Sequence, residues 1–269
     1  MIFAALLVAA SILLVAPANR DSAPQPPGPG PAPLVVGDGR TVHLISMGGP
    51  RTDALLTRVS GDIGDAVNAV EKFWGTDWDH DIVVIATDSD AQFVAQAGLD
   101  PARQWNDIAA VSVADHVDLD HHRSDGQRIV FAPGASAMSD ASLRIVLTHE
   151  LFHLAARSDT APDAPRWVTE GVADFVARPP TPLPAGAAAN TALPSDAELD
   201  TPGSQRAMGY DRAWWFARFV ADTYGVDGLR RLYVEAAGPH HPDFASAVQR
   251  ALDTDLADLH ARWARWLNR

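Results

Sequence analysis

The amino-acid sequence predicts an α+β fold: a small mixed β-sheet packed with helices, followed by a helical C-terminal part. Three observations lead there. Short β-rich runs (Leu34–Ser46, Asp81–Thr87, Ile108–Val113 and Arg128–Ala132) alternate with helical spacing in the first half. An apolar helical run, Ser142 to Leu154, closes that half. Beyond it, the apolar residues recur at helical intervals almost to the end. The 269 residues suffice for one fair-sized domain or two small lobes. The expected divisions are a leader at 1–18, a linker at 19–33, an α+β lobe at 34–160 and a helical lobe at 161–269.

Met1 to Ala18 is apolar apart from Ser11 and sits at the lower length limit for a spanning helix. Ala16-Pro17-Ala18 resembles a small-residue cleavage site, although no Lys or Arg precedes the apolar run. The segment is expected to be a signal peptide or a membrane anchor, placing the rest outside the cytoplasm, secreted or tethered. Asn19 to Pro33 is too rich in proline for helix or sheet and reads as an extended tether.

Leu34 to Ser46 holds two β-rich pieces around Gly37-Asp38-Gly39, a hairpin pattern. Thr52 to Trp74 has apolar residues at helical spacing and stops near Gly75. Asp81 to Thr87 is a buried-type strand, Ala91 to Ala97 a helix, and Ile108–Val113 and Arg128–Ala132 are further strands. Between the last two lies Asp115-His116-Val-Asp118-Leu-Asp120-His121-His122-Arg-Ser-Asp125, with the composition of a metal site. No helical or hairpin register aligns those side chains, so a solvated loop is expected.

Composition narrows the function classes. A net charge of −13 argues against the concentrated basic surface that nucleic acid needs, and disfavours docking on an anionic membrane. A membrane contact is expected only through the N-terminal segment. The chain has no cysteine, which rules out disulfides and thiolate metal sites. Nothing in the pattern speaks to oligomeric state.

The most specific signal is His149-Glu150-Leu-Phe-His153. Pro133-Gly134 makes a turn, Ser139 or Asp140 can cap, and Leu143, Leu147, Leu151 and Leu154 form an apolar stripe, so the segment is a helix. Residues four apart share a face, so both imidazoles point the same way and can share one Zn²⁺. Glu150 stands beside them as a general base for a water made acidic by the metal. This is the H-E-x-x-H pattern of zinc hydrolases.

A third ligand is expected downstream, in Pro165-Arg-Trp-Val-Thr-Glu170-Gly171-Val-Ala-Asp174-Phe-Val. Pro165 suits a helix start and Pro179-Pro180 ends it. Glu170 would complete a His₂Glu set for one zinc ion, and Asp174, four residues on, is then placed to accept the outer N–H of a ligand histidine. Gly171 removes a side chain where helices approach closely. The chain has only five glutamates, and two of them fall in these two segments.

HELFH followed by Trp-Val-Thr-Glu-Gly-Val-Ala-Asp-Phe resembles the gluzincin branch of zinc metallopeptidases, including the minimal peptidase MA-like domains. The resemblance is close over Arg144 to Ala177 and looser beyond. It implies a zincin-like fold, zinc held by His149, His153 and Glu170, Glu150 as general base, and Asp174 behind a ligand histidine, His149. The implied partner is a peptide or protein substrate lying along a sheet edge, for which Arg128–Ala132 is the nearest strand. The interval from His153 to Glu170 is shorter than in the larger aminopeptidases of that group.

Metzincins continue H-E-x-x-H differently, with a third ligand six residues further on and a later Met-turn. Asp159 occupies that ligand position and Ala207-Met208-Gly209-Tyr210 resembles a Met-turn. Ala156, however, replaces the glycine that lets the helix stop. The remaining alternatives are a zinc-binding module without turnover and a non-catalytic core in which HELFH is fortuitous.

Arg178 to Gln205 shows no clear element and is expected to drape over the site. Tyr210 is read as starting an aromatic helix that ends at Tyr224-Gly225, and as the donor to the substrate oxyanion. His240 and His241, in a Gly/Pro turn, are weaker candidates for that role. Trp214, Trp215, Phe216 and Phe219 read as core. Asp227–Ala237, Pro242–Leu252 and Thr254–Leu267 are expected helices, the last with early acids and late arginines that suit its dipole.

Overall fold

The computed structural model describes residues 32–269 except 103, 104, 106 and 107. The expected leader at 1–18 and nearly all of the 19–33 tether lie outside the described residues. Among the described residues the chain is mixed α/β, with nine α-helices and a mixed sheet, and none of its helices is long and apolar enough to cross a membrane. It divides into two compact units, one ending at Ser158 and the other running from Asp159 to Arg269.

In the first unit β1 (Leu34–Val36) and β2 (Arg40–Ser46) form the expected antiparallel hairpin. Its turn puts Gly37 and Gly39 at φ +56° and +103°, where a side chain would be strained. Helix α1 (Pro50–Trp74) leads to β3 (Asp81–Ala86), parallel to β2. Helix α2 (Asp90–Ala97) is capped by Ser89, whose Oγ accepts from the Gln92 N–H. Then come β4 (Ala110–Val113), β5 (His116–Asp118), β6 (Arg123–Asp125), β7 (Arg128–Phe131), a 3-10 turn at Pro133–Ala137, and α3 (Asp140–Ala156).

The five-stranded sheet runs β1-β2-β3-β7-β4, with β7 parallel to β3 and antiparallel to β4. Arg128–Ala132 therefore does not supply a sheet edge, contrary to expectation. Its Ile-Val-Phe run is buried on both faces, as central strands are. The edge strands are β1 and β4; β4 is itself buried, and Arg157 Nη2 donates to the Ser112 carbonyl at 2.6 Å. The acidic, histidine-rich segment is not a loop either. It folds as a β5–β6 hairpin, His116 opposite Asp125, whose Gly126 at φ +66° lets the chain turn into β7.

The second unit contains α4 (Arg166–Ala177), a 3-10 turn at Ala187–Ala189, α5 (Asp196–Asp200), α6 (Ser204–Tyr224), α7 (Val226–Ala237), α8 (Phe244–Leu252) and α9 (Leu256–Leu267). Two expectations need correction. Arg178–Gln205 is a tied-down strap with a helix of its own, α5, closed by a Ser195–Glu198 capping box. Arg212 donates to the carbonyls of Asn190 and Ala192, and Trp263 Nε1 also reaches Ala192. Those anchors come from α6 and α9, so no local pattern in the strap could announce them. Helix α6 also begins six residues before Tyr210, because its polar first turn carries no apolar periodicity. The aromatic residues form the core as expected: Phe216 and Phe219 pack against Trp263, and Trp167 meets Phe216 edge-on at 5.1 Å.

Candidate metal centre

Helix α3 lacks glycine and proline, and the Ser139 side chain settles its start by accepting from the Ser142 N–H at 3.2 Å. From Val146 onward every residue of the helix is buried, so this is a core helix and not an amphipathic one. Leu143, Leu147, Leu151 and Leu154 pack inward, and Phe152 meets Phe73 and Trp74 of α1 edge-on at 5.8 Å. Within this apolar shell lie three titratable side chains: His149 at 1 %, Glu150 at 0 % and His153 at 9 % exposure. Burying them costs free energy unless each is bonded.

The Nε2 atoms of His149 and His153 face each other at 3.1 Å. One tautomer pair makes that an N–H···N hydrogen bond. The same spacing is close to the edge, about 3.3 Å, of a tetrahedron of nitrogens at zinc-ligand distance. The pair thus fits shared coordination of one small cation without rearranging either ring.

Helix α4 follows Pro165, which offers no capping side chain. Asp196 of the strap takes that part: its carboxylate accepts from the Arg166 and Trp167 N–H groups at 3.2 and 2.8 Å. Gly171 is required where α4 meets α6, since a Cβ there would stand 2.5 Å from the Ala213 carbonyl oxygen. Arg166, Glu170, Asp174 and Arg178 recur at intervals of four along α4 and its cap, hence on one face. Glu170 and Asp174 are both buried.

One ligand atom each from His149, His153 and Glu170 lies within 4.8 Å of the other two, a group able to hold a metal ion. Two neutral nitrogens and one carboxylate oxygen form the donor set of an open zinc site. Asp159, the rival ligand, lies in the 3-10 turn Arg157–Asp159 and is not part of the group. The Met208 segment is helical, not a turn, and its side chain is exposed.

Tyr210, in the second turn of α6, is buried, and burial followed by the charge of Glu170 pushes its phenol well above the usual tyrosine range. It is therefore a neutral O–H donor across physiological pH. His241 is engaged elsewhere, its Nδ1 at the Pro242 carbonyl and its Nε2 3.5 Å from Asp163. His240 adopts a left-handed turn conformation.

The sequence reading missed two residues. Asp196 caps α4 from thirty positions downstream. Arg178 binds Asp174, and its only local signal is the Pro-Pro that follows it. Neither a family model nor a curated protein sequence matches the chain.

Proposed function

We propose that this protein is a zinc-dependent peptidase of gluzincin type with a zincin-like fold, holding one zinc ion through His149, His153 and Glu170. The observation that carries this reading is the convergence of those three buried donor groups, the same residues that the spacing of HELFH and Trp-Val-Thr-Glu selects. Zinc bound there supplies Lewis acidity and brings the pKa of water down to about 7. Glu150 takes the proton from the attacking water on its carboxylate and returns it to the amine nitrogen as the C–N bond breaks. Tyr210 donates its O–H to the carbonyl oxygen as charge develops there, a role supported by its burial within range of the Glu170 charge. Asp174 accepts the outer N–H of a ligand histidine and holds its tautomer.

The substrate is a peptide or protein. The apolar stretch Met1–Ala18 and the proline-rich spacer behind it support a site of action outside the cytoplasm, secreted or tethered. Digestion of a peptide library tests the activity. The wild type cleaves, and Glu150→Gln keeps its zinc while turnover falls about 10²–10⁴-fold. Zinc binding with no cleavage by either protein would leave a silent binding module and overturn the enzymatic reading.

A further inference from the structure

The Arg178 side chain is held on three sides. Nη1 donates to Asp174 Oδ2 at 3.0 Å, Nη2 donates to Asp211 Oδ1 at 2.9 Å, and the guanidinium lies 3.8 Å from the centre of the Trp214 ring. Burial opposes its charge, but Asp174 and then Asp211 outweigh that and raise its pKa. The main chain sets up the arrangement. Arg178 is the residue after α4, its N–H still bonds the Asp174 carbonyl at 2.8 Å, and Pro179 forces it into an extended conformation at φ −93°, ψ 136°. An arginine at a helix end ordinarily reaches into water. This one folds back along its own helix onto a carboxylate one turn from Glu170.

We infer that Arg178 is a positioning residue for the metal centre, acting through Asp174. This rests on the proposed reading of Asp174 as the acceptor behind a ligand histidine. A lone aspartate in a packed interior can swing between rotamers, and its charge is costly. The guanidinium removes both problems: it fixes one carboxylate oxygen by a charge-assisted bond and balances the charges of Asp174 and Asp211 together. Trp214 and Asp211 in turn keep the guanidinium from turning away. Lysine keeps the charge but not the planar fork or the stacking, so it substitutes poorly.

The test is the zinc dissociation constant of the purified full chain, by competition with a chromophoric chelator, for wild type, Arg178→Gln, Asp174→Asn and the double variant. Arg178→Gln is expected to weaken zinc binding about 10-fold or more, the range seen when groups behind metal ligands are removed. The double variant is expected to bind no more weakly than Asp174→Asn alone, because Arg178 acts through that carboxylate. A merely structural arginine would weaken the double variant further. Should Arg178→Gln not fold, Arg178→Lys carries the same comparison, with a smaller loss expected. Zinc held by either Arg178 variant as tightly as by wild type, or a loss undiminished on the Asp174→Asn background, overturns the inference. A wild type that takes up no zinc overturns the proposed function with it.

Discussion

Helix α3 and the β5–β6 hairpin are built from overlapping residue types, histidines interspersed with carboxylates, and both belong to the first unit. In α3 the histidines have almost no contact with solvent, and their Nε2 atoms are already 3.1 Å apart. In the hairpin the His121 side chain is 74 % exposed, and its ring bonds the Asp118 three residues earlier at 2.9 Å. His122 stands at φ +51°, a turn position that histidine tolerates better than most residues. The difference is one of register and burial. A period of 3.6 places two residues four apart over each other, and an apolar shell then removes competing water. The short β5–β6 pair instead leaves His116, His121 and His122 exposed, and His121 bonds the nearby Asp118.

If that contrast is correct, substitutions around the helix act on chemistry while substitutions in the hairpin do not. The larger effect is expected at Tyr210. Replacing it by Phe removes the donor without emptying its place in the core, and turnover should fall about 10²–10³-fold with zinc retained. Unchanged turnover would return Tyr210 to a packing role. Replacing His116, His121 and His122 together by Ala should leave zinc content and cleavage unchanged and shift unfolding stability by no more than about 0.5 kcal/mol. Loss of metal from that variant would erase the distinction between the two segments.

The smallest effect concerns proton binding. The hydrogen bond from the His121 ring, with burial opposing, holds the Asp118 carboxyl below its usual pKa. A carboxylate whose pKa is lowered by folding stabilises the fold above its unfolded value, near 3.9, and that contribution fades as pH drops through the folded value. The pair is exposed, so the stability involved is slight. An NMR titration of His121→Ala should show Asp118 moving back up; no movement would deny the contact.

The sequence made the local elements legible where one period dominated. The β1–β2 hairpin, α1, β3, α3 and α4 lie where apolar spacing and Gly or Pro punctuation place them, and Ser139, one of two possible caps of α3, is the one used. Gly171 could be read as a close approach because a small residue interrupts an otherwise regular helix. Strand order was not legible: nothing local distinguishes the central β7 from the edge strand β4, since both are short apolar runs. The strap from 178 to 205 is held by Arg212 and Trp263, partners distant in sequence, and its own composition reads as structureless. At the candidate metal centre the grouping of His149, His153 and Glu170 was legible from spacing. The contacts that Asp196 and Arg178 make with α4 were not, because no periodicity encodes them.

The central claim is that His149, His153 and Glu170 share a metal ion. Elemental analysis of the purified chain beside its Glu170→Ala and Asp159→Ala variants tests it most directly. The expected result is one zinc per chain in the wild type and in Asp159→Ala, with almost none in Glu170→Ala. A wild type without metal, or zinc kept by Glu170→Ala and lost from Asp159→Ala, would contradict it.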